Sequence, residues 1–343
     1  MLLSPARCPH FNLVPGRLDD GATVPDPEGI ITAGHGDRAA RTGSFEEGER
    51  IHVPALNARF KQIQRQQSRE RLVQAQGEPM KTVTSKDGTV IAFEQSGLGP
   101  ALILIHGATQ YRATDQGMRQ LADLLARHFT VVQYDRRGRG ESTDTQPFAV
   151  EREIEDIEAL IDAVGGSAFL YGMSSGAVLA MEAAVAFPGK IRKLAMYEPP
   201  FNDEEAARQR WKEYTGQLRE LLAQGRRGDA MALFMRLVGV PAEQVEGMRQ
   251  APTWPMVEAV APTLAYDHFA LMGDEAAVPT QQAARVTVPA LVLVGGASYG
   301  FMHQTAEKLA QAIPDARWHT LEGQTHAVAA PALAPVLEEF FLS

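Results

Sequence analysis

The sequence predicts an α/β fold, with a mainly parallel, doubly wound sheet, helices on both of its faces and an inserted helical segment. Two observations predict this architecture. From Met80 onward, short apolar runs alternate with helical patterns, and such alternation is typical of parallel sheets. Between residues 201 and 286 the alternation stops, and a charge-rich helical stretch broken by prolines takes its place.

The predicted elements begin with a hairpin, since Met80–Phe93 has the pattern of a strand, an Asp-Gly turn and a second strand. Ala101–Ile105 is an unbroken apolar run, as expected for a strand that is buried on both faces. The later predicted strands are Thr130–Tyr134, Ala168–Tyr171, Leu194–Tyr197, Leu291–Val294 and Trp318–Leu321. The predicted helices include Leu121–His128, Ile154–Val164, Ala177–Ala184 and Ala332–Phe341.

Three segments follow from this pattern. Residues 1–79 contain many prolines and no sustained period, so we expect a poorly ordered, dispensable extension, or alternatively a short regulatory or oligomerising arm. Residues 80–200 and 287–343 form the predicted α/β core. Residues 201–286 form the predicted helical cap over the carboxyl edge of the sheet, and its aromatic and methionine side chains either line an apolar pocket or form the cap's own core.

Composition narrows the possible functions. The chain has 343 residues and a formal net charge of -9, which argues against a nucleic-acid partner. No apolar run reaches the span of a bilayer, so no membrane association is expected. A single cysteine, Cys8, excludes an intrachain disulfide and favours a cytoplasmic location. Without zinc-type Cys/His spacing or a Walker-type loop, we expect no metal and no cofactor. The sequence does not indicate an oligomeric state.

The strongest chemical signal is the G-x-S-x-G pentapeptide Gly172–Gly176. It follows the predicted strand Ala168–Tyr171 and precedes the predicted helix Ala177–Ala184. In this strand–turn–helix context the central residue, Ser174, is predicted to be a nucleophile held on a sharp turn. The N–H groups at the start of the following helix would face the developing negative charge.

Two loops at the same predicted sheet edge supply candidate partners for Ser174. After the first buried strand comes the loop His106–Thr109. The oxyanion hole is predicted to be formed by Gly107 and Ala108 of this loop and by Ser175, with the Ala108 and Ser175 amides as its donors. His106 itself is interpreted as a structural loop residue. His326 follows the last predicted strand in a glycine-containing loop, which predicts that it is the general base.

At these positions the chain resembles the α/β-hydrolase superfamily, from about Lys81 to the C-terminus. The resemblance rests on four motifs in the family's order, which are His106-Gly107, Asp135-Arg136-Arg137-Gly138-Arg139-Gly140, Gly172-Met173-Ser174-Ser175-Gly176 and Gly323-Gln324-Thr325-His326. It implies a sheet of the α/β-hydrolase type, a helical cap and a Ser–His–acid triad that needs no cofactor.

The acid departs from the family's pattern. Members usually carry an aspartate in a turn after the penultimate strand, but here that turn, Gly295–Gly300, contains no carboxylate. Glu198, at the end of the preceding strand, is the favoured acid. The alternatives are Asp267 or Asp274 from the cap, or a dyad in which Ser298 or a water orients the histidine.

The charged turn after Thr130–Tyr134 contains three arginines, of which Arg136 and Arg139 are the possible ligands for a substrate carboxylate. The favoured interpretation is structural, with Asp135 capping backbone and the arginines anchoring loops.

The expected function is therefore a serine hydrolase that cleaves small-molecule carboxylic esters of small to medium acyl chain through an acyl-enzyme. A serine at the turn argues against haloalkane dehalogenases and epoxide hydrolases, which need an aspartate there. A lactonase or a carbon–carbon bond hydrolase shares the same triad, and a haloperoxidase or perhydrolase side activity also fits. From another class, the fold could serve as a ligand-binding or sensor module with vestigial catalysis.

Overall fold

A computed structural model describes residues 80–343. The predicted extension, residues 1–79, lies outside the described residues. The strands are β1 (Lys81–Thr84), β2 (Val90–Ser96), β3 (Ala101–Ile105), β4 (Thr130–Tyr134), β5 (Ala168–Met173), β6 (Ile191–Tyr197), β7 (Ala290–Gly295) and β8 (Ala316–Leu321).

Helices connect most of these strands. Those of the core are α1 (Gln116–Leu125), α2 (Val150–Ala163), α3 (Ser175–Ala186), α9 (Gly300–Ala312) and α10 (Ala330–Leu342). Between β6 and β7 lie α4 (Glu205–Ala223), α5 (Arg227–Leu237), α6 (Ala242–Arg249), α7 (Trp254–Ala259), a π-helix (Tyr266–Leu271) and α8 (Thr280–Ala283). We call residues 205–283 the helical insertion. In the part of the chain that the structure describes, no helix is long and apolar enough to cross a membrane.

The eight strands form one sheet in the order β1-β2-β4-β3-β5-β6-β7-β8. Only the pairs β1–β2 and β2–β4 are antiparallel, and the pairs from β4 across to β8 are parallel. The predicted mainly parallel, doubly wound sheet is therefore confirmed. Its carboxyl ends meet at one edge, so the loops after β3, β5, β6 and β8 are neighbours.

Alternate residues of β3 show how the sheet divides the core. Ile103 and Ile105 pack with α2, α3 and α9 on one face, whereas Leu102 and Leu104 pack with α1 and α10 on the other. All five residues of β3 are buried, which explains why an unbroken apolar run marks this strand.

The helical insertion has a core of its own, built around the buried side chains Tyr214, Leu218, Ala230, Met231, Trp254, Ala261 and Leu264. Most of the aromatic and methionine side chains that the sequence marks in this region pack against that core, although Met256 is exposed. The insertion is therefore a separately packed layer of helices rather than a long loop.

One predicted helix ends three residues earlier in the structure. The helix predicted to include Leu121–His128 ends at Leu125, because the amides of His128 and Phe129 turn back onto the Leu125 carbonyl. This turn carries the Phe129 ring into the core, where it meets Phe169 and Phe341 edge-on. The hydrophobic period continues beyond Leu125, but tertiary packing ends the helix there.

Candidate active site

Ser174 lies at the turn between β5 and α3. Its backbone has φ 56° and ψ -128°, a region that residues with a side chain rarely adopt. Such strain persists only where the surroundings impose it, and it is concentrated at functional sites. The turn raises the serine above the end of β5, directly before the N-terminus of α3.

The glycines on either side are required by close backbone contacts. A Cβ on Gly172 would collide with the backbone of Gly176, and a Cβ on Gly176 would collide with the carbonyl oxygens of Ile105 and His106. The pentapeptide therefore packs against the loop after β3 with no room for a methyl group. This explains the G-x-S-x-G spacing in physical terms.

Glu198 and His326 meet at the same edge of the sheet. Glu198 follows β6 and has a φ of 47°, and its carboxylate is completely buried. One oxygen, Oε1, accepts a hydrogen bond from the Gly295 amide at 2.8 Å, and Oε2 lies 2.7 Å from Nδ1 of His326. The histidine ring is 38% exposed, so one end of it is fixed while the ring remains accessible.

The other candidate acids lie elsewhere. Asp267 is completely buried between Arg136 and Arg139. Asp274 is exposed. The Ser298 hydroxyl is buried and has no hydrogen-bond partner. Of the alternatives that the sequence leaves open, only Glu198 is hydrogen-bonded to His326 in the structure.

The loop after β3 lies against the serine. A Cβ placed on Gly107 would be 3.2 Å from Cβ of Ser174 and 3.2 Å from the Met173 carbonyl oxygen. Ala108 follows directly, and Ser175 opens α3, where the first amides of a helix have no intrahelical acceptor. The three residues predicted for the oxyanion hole are therefore all within or next to the contact between this loop and the serine turn.

The turn after β4 is held by buried ion pairs. Nη1 of Arg136 lies 2.8 Å from Asp267, and Nη2 of Arg139 lies 2.5 Å from the other oxygen of the same carboxylate. Two further N–H groups of Arg136 bind Glu153. Burial alone would raise the pKa of Asp267, but the two guanidiniums lower it to about 2. With their charges matched in this way, the arginines have the structural role that the sequence analysis favours.

Sequence reasoning missed one contact in this turn. Nη1 of Arg139 donates a 2.7 Å hydrogen bond to the Gly107 carbonyl, so the arginine turn holds the loop beside Ser174. The signal available in the sequence was the clustering of arginines at the end of a strand adjacent to β3, but their acceptors are set by the tertiary fold.

Two further histidines, His106 and His268, are buried in the protein. His106 lies 3.2 Å from Asp115, the residue that caps α1, which agrees with its interpretation as a structural loop residue. His268, in the π-helix, lies 2.8 Å from the Tyr214 hydroxyl, and burial lowers its pKa to about 4. Among residues 80–343, no group of three or more His, Cys, Asp or Glu side chains is placed to hold a metal ion.

Comparison with known proteins identifies the family of the chain. Residues 102–338 match the alpha/beta hydrolase family. An uncharacterized hydrolase, YraK of Bacillus subtilis, is 29% identical over 116 residues. That match covers 33% of this chain and 42% of YraK, so the chain spans about two fifths of the length of this relative.

Solved structures of other hydrolases have the same fold as the described part of this chain. An alpha/beta hydrolase from Sphaerobacter thermophilus is 52% identical, with a TM-score of 0.67, and covers 76% of this chain and 100% of its own. A hydrolase from Pseudomonas aeruginosa shares the fold at 23% identity and a TM-score of 0.56, over 77% of this chain and 99% of its own. Because the family match covers well over half of the chain, the chain belongs to the alpha/beta hydrolase family.

Proposed function

We propose that the protein is a serine hydrolase that cleaves carboxylic esters of small to medium acyl chain through an acyl-enzyme. The observation that carries the proposal is the 2.7 Å contact between Glu198 and His326 at the sheet edge where Ser174 occupies a strained turn. Ser174, Glu198 and His326 follow three strands at this edge, and nucleophilic catalysis needs a nucleophile, a base and an acid of these types within reach of one another.

The carboxylate determines which nitrogen of His326 acts as the base. An ionised carboxylate only accepts hydrogen bonds, so Nδ1 of His326 must carry the proton that faces Glu198. Nε2 is then the unprotonated nitrogen, and it takes the proton from the Ser174 hydroxyl. Glu198 stabilises the imidazolium that results and keeps the ring in this tautomer.

The reaction then proceeds in two halves. Oγ of Ser174 bonds to the ester carbonyl carbon, and the carbonyl oxygen becomes an oxyanion held by the Ala108 and Ser175 amides. The tetrahedral intermediate collapses to the acyl-enzyme as the C–O bond breaks, and His326 returns its proton to the leaving alcohol. A water molecule, deprotonated by His326, then attacks the acyl carbon. The bond between that carbon and Oγ of Ser174 breaks, the acid leaves, and His326 returns the proton to Oγ.

The helical insertion is proposed to be the cap that closes over this site. Its support is the ion pair from Asp267 to Arg139, which links the π-helix to the loop beside Ser174. An apolar layer in this place would bury the acyl chain and exclude water from the oxyanion.

The test is hydrolysis of p-nitrophenyl esters from acetyl to long acyl chains, together with labelling by a fluorophosphonate probe. We expect turnover of the shorter esters and labelling of the wild type, and neither for Ser174→Ala. If lactones or carbon–carbon substrates are cleaved while esters are not, the ester proposal is wrong, although the triad stands. A wild type that neither labels nor turns over any substrate indicates a binding module.

A further inference from the structure

The carbonyl group of Gly107 and the amide of Ala108 belong to one peptide unit. That unit is planar and trans, so its C=O and N–H point in opposite directions. Nη1 of Arg139 donates a 2.7 Å hydrogen bond to this carbonyl oxygen. Fixing the oxygen on one side therefore fixes the direction of the Ala108 N–H on the other.

The loop needs such a restraint. Thr109, the next residue, has a φ of 62°, which costs free energy for a β-branched residue and has to be imposed by its surroundings. Arg136 also reaches the loop, but at 3.3 Å from the His106 carbonyl, one residue earlier. Arg139 is thus the side chain that holds the peptide unit carrying the Ala108 amide.

The helical insertion in turn holds Arg139. Nη2 binds Asp267 of the π-helix, and Nε donates to the Thr263 hydroxyl at 3.2 Å. The guanidinium is completely buried. All three of its nitrogens are therefore engaged, and two of them bind acceptors from the insertion.

Asp267 balances the charge of Arg139 in a group of four buried ionic side chains. Glu153, Arg136, Asp267 and Arg139 alternate in sign and are all buried, with no net charge among the four. Without the Asp267 carboxylate, Arg139 has no counter-ion within the group and lies near a second buried cation. Buried charges are stable only when paired, so we expect the guanidinium to leave its place.

We propose that Arg139 and Asp267 are positioning residues for the oxyanion hole. Asp267 of the helical insertion holds Arg139, and Arg139 aims the Ala108 amide at the carbonyl oxygen of the substrate. The inference rests on the proposed function, and it makes the insertion part of the machinery that stabilises the transition state.

The first experiment compares Arg139→Lys with Arg137→Lys. A lysine ammonium cannot reproduce the planar fork that binds Asp267 and Gly107 together. Arg137 is the matched control, because it lies in the same turn, is equally buried and pairs with Asp156 and Asp87 instead. Both variants remove one buried arginine fork, but only one of them touches the loop.

The readouts are kcat and KM on a p-nitrophenyl ester and the inhibition constant of a boronic acid, whose tetrahedral adduct with Ser174 places an oxygen in the oxyanion hole. For Arg139→Lys we expect kcat to fall by about ten- to a hundredfold, since complete loss of one oxyanion donor costs about 10²–10³-fold. KM should stay within about threefold, and the boronic acid should weaken in parallel with kcat. For Arg137→Lys we expect a lower melting temperature with kcat and inhibition unchanged.

The second experiment addresses the insertion, with Asp267→Asn against Tyr266→Phe. Tyr266 is the neighbouring π-helix residue and also links the insertion to the core, through Asp144 and Gln146, without touching Arg139. Asp267→Asn should reproduce the Arg139→Lys pattern, and Tyr266→Phe should not. If Arg139→Lys or Asp267→Asn prevents folding, Thr263→Val is the smaller change. It removes the 3.2 Å contact to Arg139 together with the hydroxyl's own hydrogen bond to the Val260 carbonyl within the insertion, and it should lower kcat severalfold at constant KM.

Three results would overturn the inference. One is a kcat for Arg139→Lys equal to that of Arg137→Lys. Another is a loss confined to KM, which would make Arg139 a substrate ligand. The third is a boronic acid affinity that does not follow kcat. A wild type that neither labels with a fluorophosphonate nor turns over esters would instead overturn the proposed function itself, and this inference with it.

Discussion

The Glu198 carboxylate joins the end of β7 to the loop after β8, because it accepts one hydrogen bond from the amide of Gly295, the last residue of β7, and contacts the ring of His326. The carboxylate is completely buried, so both of its oxygens are used within the protein. The acid of the proposed triad therefore comes from the end of β6, one strand earlier than the family pattern leads one to expect.

Replacing Glu198 with glutamine should lower kcat by about 10²–10⁴-fold on p-nitrophenyl esters, because an amide neither fixes the tautomer of His326 nor stabilises its cation. KM should change little. Glu182→Gln is the control, since Glu182 is a half-buried glutamate of α3 that binds Gln282. Equal rates for the wild type and Glu198→Gln would exclude Glu198 as the acid.

An acid restored at the family's usual position should rescue part of this loss. The Ser298 hydroxyl is buried without a partner, and its loop is held beside that of His326 by a 2.8 Å hydrogen bond from the Ala297 amide to the Gln324 carbonyl. We expect Glu198→Gln/Ser298→Asp to recover about tenfold in kcat over Glu198→Gln, by supplying a carboxylate to the ring. Glu198→Gln/Ser298→Asn, which adds no carboxylate, should recover none of the lost kcat. Equal rates for the two double variants would show that a carboxylate at position 298 does not replace that of Glu198.

A methyl group on Gly176 should destabilise the fold, whereas one on Gly216 should not. The former would collide with backbone oxygens of the loop after β3, and the latter would enter open space within α4. We expect Gly176→Ala to lose ~1–3 kcal/mol of unfolding free energy, and Gly216→Ala to gain up to ~1 kcal/mol. Urea unfolding of both variants checks this, and a Gly176→Ala protein of wild-type stability would contradict the packing described.

His268 should make stability depend on pH. Burial lowers its pKa from 6.5 to about 4, with Asp267 opposing the shift and Arg139 adding to it. Between these two values the unfolded chain binds a proton that the folded chain does not, so stability falls as pH drops from about 6.5 to 4, by about 3 kcal/mol in total. Asp267, whose pKa is lowered from 3.8, adds to the loss only at more acidic pH.

Urea unfolding at pH 7, 5.5 and 4 measures this dependence. His268→Gln should be less stable than the wild type at pH 7, because it loses the ring packing and the Tyr214 contact, yet it should show a flatter pH profile. His319→Gln, with an exposed ring, should keep the wild-type slope. If the unfolding free energy of His268→Gln depends on pH as steeply as that of the wild type, groups other than His268 cause the pH dependence.

The sequence was sufficient for the sheet, because buried parallel strands such as Ala101–Ile105 have an unbroken apolar pattern. It also identified the serine turn, whose two glycines are required by close backbone contacts, within the turn for Gly172 and with the loop after β3 for Gly176. The sequence favoured Glu198 as the partner of His326, but it left open Asp267, Asp274 and a dyad with Ser298 or a water. Residues far apart in the chain meet only through the order of the strands. The contact of Arg139 with Gly107 was missed for the same reason.

The alternating buried charges also limit how this protein can be recombined with its relatives. If the helical insertion is exchanged for that of another family member, Arg136 and Arg139 face whatever residue replaces Asp267. A neutral residue there would leave one buried arginine without a counter-ion. The insertion and the turn after β4 therefore have to be exchanged together. Chimeras should be drawn so that residues 135–140 and 261–271 come from the same parent.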